Sequence, residues 1–125
     1  MRGLCALILT LPLAVACAPK SDTAAPAAMA LDCKMDFAAQ SAKITAQPNL
    51  TAAQHAPGEP YTFYSTNDGH ASYLITMPGA PGHPAIMMQA AAGGQVKTTG
   101  CAYGNKRGYQ QLATYLDSLK TWTRR

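Results

Sequence analysis

Three histidines, His55, His70 and His83, are the residues best suited to metal or proton chemistry in this chain. A dedicated metal site usually pairs a His with a second His or Cys four residues on along a helix, or close by in a loop. None of the three has such a neighbour, so no metal and no cofactor is expected. Nucleophilic catalysis would be marked by Gly-x-Ser-x-Gly or Ser-x-x-Lys, and neither occurs. Glycoside cleavage needs two carboxyl groups facing each other across a cleft. Asp32, Asp36, Glu59, Asp68 and Asp117 show no such pairing, and Gly93-Gly94 is too short to cradle a phosphate and opens no helix. These absences favour binding over catalysis. If the protein is an enzyme after all, His83 is the residue to nominate.

His83 stands in the most heavily punctuated stretch of the chain, Met77-Pro78-Gly79-Ala80-Pro81-Gly82-His83-Pro84. Proline fixes φ and glycine permits turns closed to other residues. A simple reversal needs less. Pro78, Gly79, Pro81, Gly82, His83 and Pro84 therefore form a candidate contact loop, with a rigid loop that merely shields the sheet as the plainer alternative. Two further groups could make contacts. Tyr64 is expected to point outward with Thr62 if Tyr61 and Phe63 point inward, which leaves its ring free to stack. Arg107, Lys120, Arg124 and Arg125 belong to a basic C-terminal region, where they and Lys97 and Lys106 face Asp117 alone. Such a region suits an acidic partner, or is a solvated helix face.

Leu31 to Gln47 alternates like a strand at first, but Ala38, Ala39, Gln40, Ala42 and Lys43 favour a short helix capped by Asp36 and ended before Pro48. Asn49 to Pro60 reads as a loop. Tyr61 to Ser65, Ala71 to Met77, Ala85 to Ala91 and Gln95 to Cys101 read as strands, separated by Asn67-Asp68-Gly69, the Pro/Gly loop and Gly93-Gly94. Short connections make them antiparallel. Tyr73, Ile75 and Met77 should share one face. Asn105 to Trp122 is the clearest helix, with Tyr109, Leu112, Leu116 and Leu119 as its apolar stripe. The expectation is an α+β fold: a small antiparallel sheet of three or four strands with the C-terminal helix packed on it.

The N-terminus carries its own chemistry. Arg2 precedes an apolar run, Leu4 to Ala16, which ends in Leu13-Ala14-Val15-Ala16-Cys17. A charged start, a short apolar core and a small-residue exit are the parts of a secretory signal, and the run is short for a membrane span. The Cys after the small residues resembles the lipobox of bacterial lipoproteins. The resemblance covers residues 1 to 18 and implies that residues 1–16 are removed and that Cys17 becomes an acylated N-terminus, bearing chains such as palmitate. Ala18 at the next position resembles the class sorted to the outer membrane. Ala14-Val15-Ala16 also suits ordinary cleavage, so a protein secreted to the periplasm without lipid stays open.

With Cys5 leaving in the signal and Cys17 taking the lipid, Cys33 and Cys101 remain. In an exported protein a disulfide is their natural outcome. It would close a loop worth roughly 4 kcal/mol in the chain-entropy account. Residues 17–30, rich in Ala and Pro, read as a flexible tether of at most roughly 45 Å. Residues 31–125 read as a single small domain. The functional expectation is a lipid-anchored envelope protein facing the periplasm, binding an envelope protein or the cell wall, or serving as an accessory subunit, in an oligomeric state left open. The alternative is a small inhibitor of an envelope hydrolase that uses the Pro/Gly loop as a wedge. Nucleic acid is not an expected partner of an exported protein.

Overall fold

The computed structural model describes residues 28–120, with Lys120 described in its backbone only. The signal segment 1–16, Cys17, most of the tether, Trp122, Arg124 and Arg125 lie outside the described residues. The elements are α1 (Phe37–Thr45), β1 (Leu50–Ala52), β2 (Tyr61–Thr66), β3 (Ala71–Thr76), β4 (Ala85–Ala92), β5 (Gln95–Ala102) and α2 (Lys106–Lys120). The fold is α+β, and its antiparallel sheet has five strands rather than three or four, in the order β1-β2-β3-β4-β5.

The fifth strand is β1, inside the stretch read as a loop. Three residues, Leu50 to Ala52, are too few to show a period of two. Pairing creates the strand: Leu50, Thr51 and Ala52 oppose Thr66, Ser65 and Tyr64. The Thr51 hydroxyl adds a bond to Asn67 Oδ1 at 2.6 Å.

The other elements follow local chemistry. Asp36 caps α1 by accepting a hydrogen bond from the Ala39 N–H at 2.7 Å. The helix stops ahead of Pro48, whose ring disfavours helical backbone at the residue before it. Gly93 and Gly94, with φ of 58° and 77°, are the two positive-φ residues that a two-residue hairpin between Ala92 and Gln95 requires. Strand β3 ends one residue sooner than expected. Met77 therefore lies outside the face it was expected to share with Tyr73 and Ile75, and is 42% exposed.

Both faces of the sheet are covered. Tyr73, Ile75, Ile86 and Met88 pack under Ile44 of α1, with Phe37 and Leu31 at the border. The alternate residues Leu74, Ala85 and Met87 pack under Leu112 and Leu116 of α2, bordered by Tyr61, Phe63, Tyr109 and Leu119. The Leu stripe thus meets the sheet as its spacing of four and three requires. Burying each leucine contributes about 2 kcal/mol.

Two long-range ties complete the domain. Cys33 and Cys101 form a disulfide across a separation of 68 residues, with S–S 2.02 Å. Ala28 and Met29, assigned to the tether, pack against the α1 side of the core. The Met29 carbonyl accepts a 2.7 Å bond from the Tyr73 hydroxyl, so the packed unit extends back beyond residue 31.

Candidate functional site

The Pro/Gly loop makes two turns in succession. Ala80 N–H donates to the Met77 carbonyl, and His83 N–H to the Ala80 carbonyl. Gly79 and Gly82 supply φ of 98° and 71°. Gly82 does more than turn. Its backbone lies directly on that of Gly108 in the first turns of α2, so closely that a Cβ on either residue would fall under 3.0 Å from the other's backbone. Gly104 meets the His83 carbonyl in the same way. Three glycines therefore clamp the loop onto the start of α2, backbone against backbone, with no side chain between.

His83 is fastened from within. Its Nδ1 lies 2.8 Å from the Thr76 hydroxyl oxygen, and Phe37 of α1 meets its ring edge-on at 5.5 Å between centroids. The same Thr76 oxygen accepts a bond from Ala85 N–H at 2.8 Å and reaches the Ala85 carbonyl at 3.1 Å. Donation from His83 Nδ1–H, with the Thr76 proton given to the Ala85 carbonyl, satisfies all three groups. His83 is thus a half-buried strut, and Thr76, which holds its ring nitrogen, is 2% exposed.

The outer surface of the loop is Met77, Pro78, Gly79 and Pro81, all exposed. Through the contact of Gly82 with Gly108, this surface adjoins Lys106 and Arg107 on the first turn of α2, also exposed. Asn105 caps that turn by accepting from Gly108 N–H at 3.0 Å. A helix start favours anions, yet this one carries two cations and no acidic residue. The placement gives nothing to helix stability and is free to serve contacts.

The structure therefore brings the loop and Arg107 together at one end of the sheet. It leaves the other expected contacts elsewhere. Tyr64 is half-buried and packs against the α1-side core, opposite Tyr73 in register, instead of pointing to solvent. The expectation assigned one helix to the sheet; a second helix makes the opposite face interior as well. Lys120 ends the 15-residue α2 that Lys106 begins, so Arg107 and Lys120 stand roughly 20 Å apart along the axis and do not share one patch. Arg124 and Arg125 lie outside the described residues.

The remaining polar residues are dispersed. Among the described residues no three His, Cys, Asp or Glu gather as a metal site. His70, at the β2–β3 turn, sits 3.4 Å from Asp68 and is largely exposed. The His70 backbone N–H, then the Thr66 hydroxyl, hold the Asp68 carboxyl below the usual carboxylate range. Two open cavities flank His70. One of about 280 Å³ is lined by Ser65, Ser72, Gln89 and Val96; the other, about 340 Å³, by Ala28, Ala71, Met88 and Ala90. Neither adjoins the Pro/Gly loop.

Gln40 was not among the residues expected to matter. It is 0% exposed in the middle of α1. Its Oε1 accepts from Asp32 N–H at 2.6 Å, while its Nε2 donates to the Tyr103 hydroxyl at 2.8 Å and to Cys101 Sγ at 3.5 Å. The Tyr103 hydroxyl in turn donates to the Met35 carbonyl at 2.8 Å. The only available signal was its spacing of four from Ile44, which puts both on the buried face.

Compared with known proteins, the chain matches no family model, and no curated protein and no solved structure is similar to it.

Proposed function

We propose that this protein is a lipid-anchored component of the bacterial envelope, held by an acylated Cys17 to the outer membrane and facing the periplasm, where it acts by binding an envelope protein or the cell wall. The observation that carries the binding role is the clamped Pro/Gly loop. Its conformation is set by contacts to α2 before any partner arrives, so ordering it on binding costs little. Exposed Lys106 and Arg107 beside it suit a partner surface bearing carboxylates or phosphates. His83 positions the loop in this reading, and no catalytic residue, cofactor or nucleic acid enters it.

The anchor and the loop are tested separately. Cys17→Ser should move the protein to the soluble fraction or block its processing; a correctly processed variant that stays in the membrane refutes the lipid anchor. For the loop, retention of an envelope protein or of purified cell wall should fall at least fivefold in a Pro78→Ala, Arg107→Gln double variant and weaken with added salt. Unchanged retention by a stably folded variant refutes the contact corner. An inhibitor is the second reading, because Met77, Pro78 and Gly79 are exposed on a preformed turn. It requires one hydrolase to be retained in equal amount and to lose its activity.

A further inference from the structure

The two sulfurs of the Cys33–Cys101 disulfide have unlike surroundings. Cys33 is exposed, on a turn closed by Met35 N–H to the Asp32 carbonyl and by Lys34 N–H to the Asp32 carboxylate. Cys101 is 1% exposed, inside β5 beneath α1. Thiol–disulfide exchange needs access to the sulfur attacked and a leaving sulfur able to carry negative charge. Access selects Cys33 Sγ for attack, which makes Cys101 the leaving group. Burial in apolar surroundings opposes a thiolate. At this site, however, the Gln40 amide already aims an N–H at Cys101 Sγ. Its carbonyl is held by Asp32 N–H and its second N–H by the Tyr103 hydroxyl, so the donor has no freedom to turn away. A buried donor fixed on the shielded sulfur is what a one-sided exchange requires.

We propose that Cys33–Cys101 is a thiol-exchange site that opens from the Cys33 sulfur alone, its substrate being a dithiol reductant and Gln40 the residue that receives the leaving Cys101 thiolate. The first thiolate of the dithiol attacks Cys33 Sγ. A mixed disulfide forms, the Cys33–Cys101 bond breaks, and Cys101 leaves with the bonding pair. The second thiol of the reductant then attacks its own partner sulfur and releases Cys33. The protein gains two electrons and two protons, and the dithiol becomes a disulfide. Reduction would remove the covalent tie between the segment leading into α1 and the sheet. Phe37, which braces His83, is the first residue of that helix.

The test uses the full oxidised chain. Glutathione, a monothiol, stops the reaction at the mixed disulfide, which is trapped by acid and located by peptide mass spectrometry. At least nine-tenths of the glutathione on this pair should be on Cys33; a comparable amount on Cys101 overturns the proposal. Dithiothreitol then gives the rate of full reduction. Gln40→Met keeps the side chain's length but removes its donors, and should slow reduction about tenfold. Gln40→Glu keeps the acceptor for Asp32 N–H but sets a negative charge against the sulfur, and should slow it further. A variant that unfolds would be reduced faster and at both sulfurs, which the site analysis reveals. Equal or faster reduction in both variants, with attack still confined to Cys33, overturns the role of Gln40.

Discussion

The two faces of the sheet are held by unlike means. On the α2 face, a 15-residue helix buries Leu112 and Leu116 on Leu74 and Met87, with Tyr109, Ala113 and Leu119 around them. That is adhesion by apolar area, spread over four turns. On the α1 face, a nine-residue helix offers one wholly buried aliphatic side chain, Ile44. Its hold depends on points: the disulfide just before it, the Gln40 bonds to Asp32 and Tyr103, and Phe37 against Tyr103. A helix of that length is marginal in isolation and leans on such ties as well as on its packing. One small domain thus attaches one helix by packing and another by specific links, and the second kind is the one open to chemical control.

The largest test removes the covalent link. Cys33→Ser with Cys101→Ser should lower unfolding free energy by roughly 4 kcal/mol, measured by urea denaturation, because it frees a loop spanning most of the domain. Amides of α1 should lose protection from hydrogen exchange before those of α2 do. Simultaneous loss across both helices would erase the distinction between the faces.

Next comes the packed face. Leu116→Ala should cost about 3 kcal/mol in the same measurement, bringing a domain of this size near its unfolding threshold. A variant that melts like the parent would mean that α2 is not held by its leucine stripe.

A smaller effect is expected where the loop meets α2. Gly82→Ala forces a positive φ on a residue with a Cβ and drives that Cβ into the Tyr109 backbone. The cost should be about 2 kcal/mol. Its sharper readout is a change in the resonances of residues 77–84 at constant Leu116 packing. Unperturbed loop resonances would show that the glycine clamp is dispensable.

The smallest effect lies at high pH. The Tyr61 hydroxyl is pushed up to about 12, first by burial, then by its bond to Tyr115, with the charges of Tyr115 and Glu59 adding to it. An unfolded tyrosine titrates near 10. The folded pKa is the higher, so the contribution is whole below about pH 10 and is lost as pH rises from about 10 to about 12. Tyr61→Phe should flatten that alkaline decline in melting temperature. An identical decline in the variant would place its origin elsewhere.

What could be read from the residues followed from repetition. The α2 stripe repeats at Leu112, Leu116 and Leu119, and strands β2 to β5 are bounded by Gly, Pro and Asn at their turns. The disulfide followed from cysteine sorting. The unread parts depend on partners distant in the chain. Leu50 to Ala52 becomes a strand only because β2 is beside it. Tyr64 is half-buried because the face it lies on is covered by α1, which has no strong stripe of its own. Gln40 reads as an ordinary helix former until Asp32, Cys101 and Tyr103 surround it. Of the candidate site, the loop and Arg107 were each legible, but their adjacency came from Gly82 against Gly108, a contact that no spacing reveals.

The strand order also bears on the sequence of events by which the chain takes shape. Because the sheet runs β1-β2-β3-β4-β5, each strand finds its partner in the strand made just before it, across a short connection. The sheet is expected to grow as the chain emerges, hairpin upon hairpin. Helix α1 cannot follow that schedule. Though formed earliest, it has its fixing points in Cys101 and Tyr103, and its covalent link joins residues 68 positions apart. The first helix to be made is therefore the one fastened last, when the final strand brings Cys101 and Tyr103 to it.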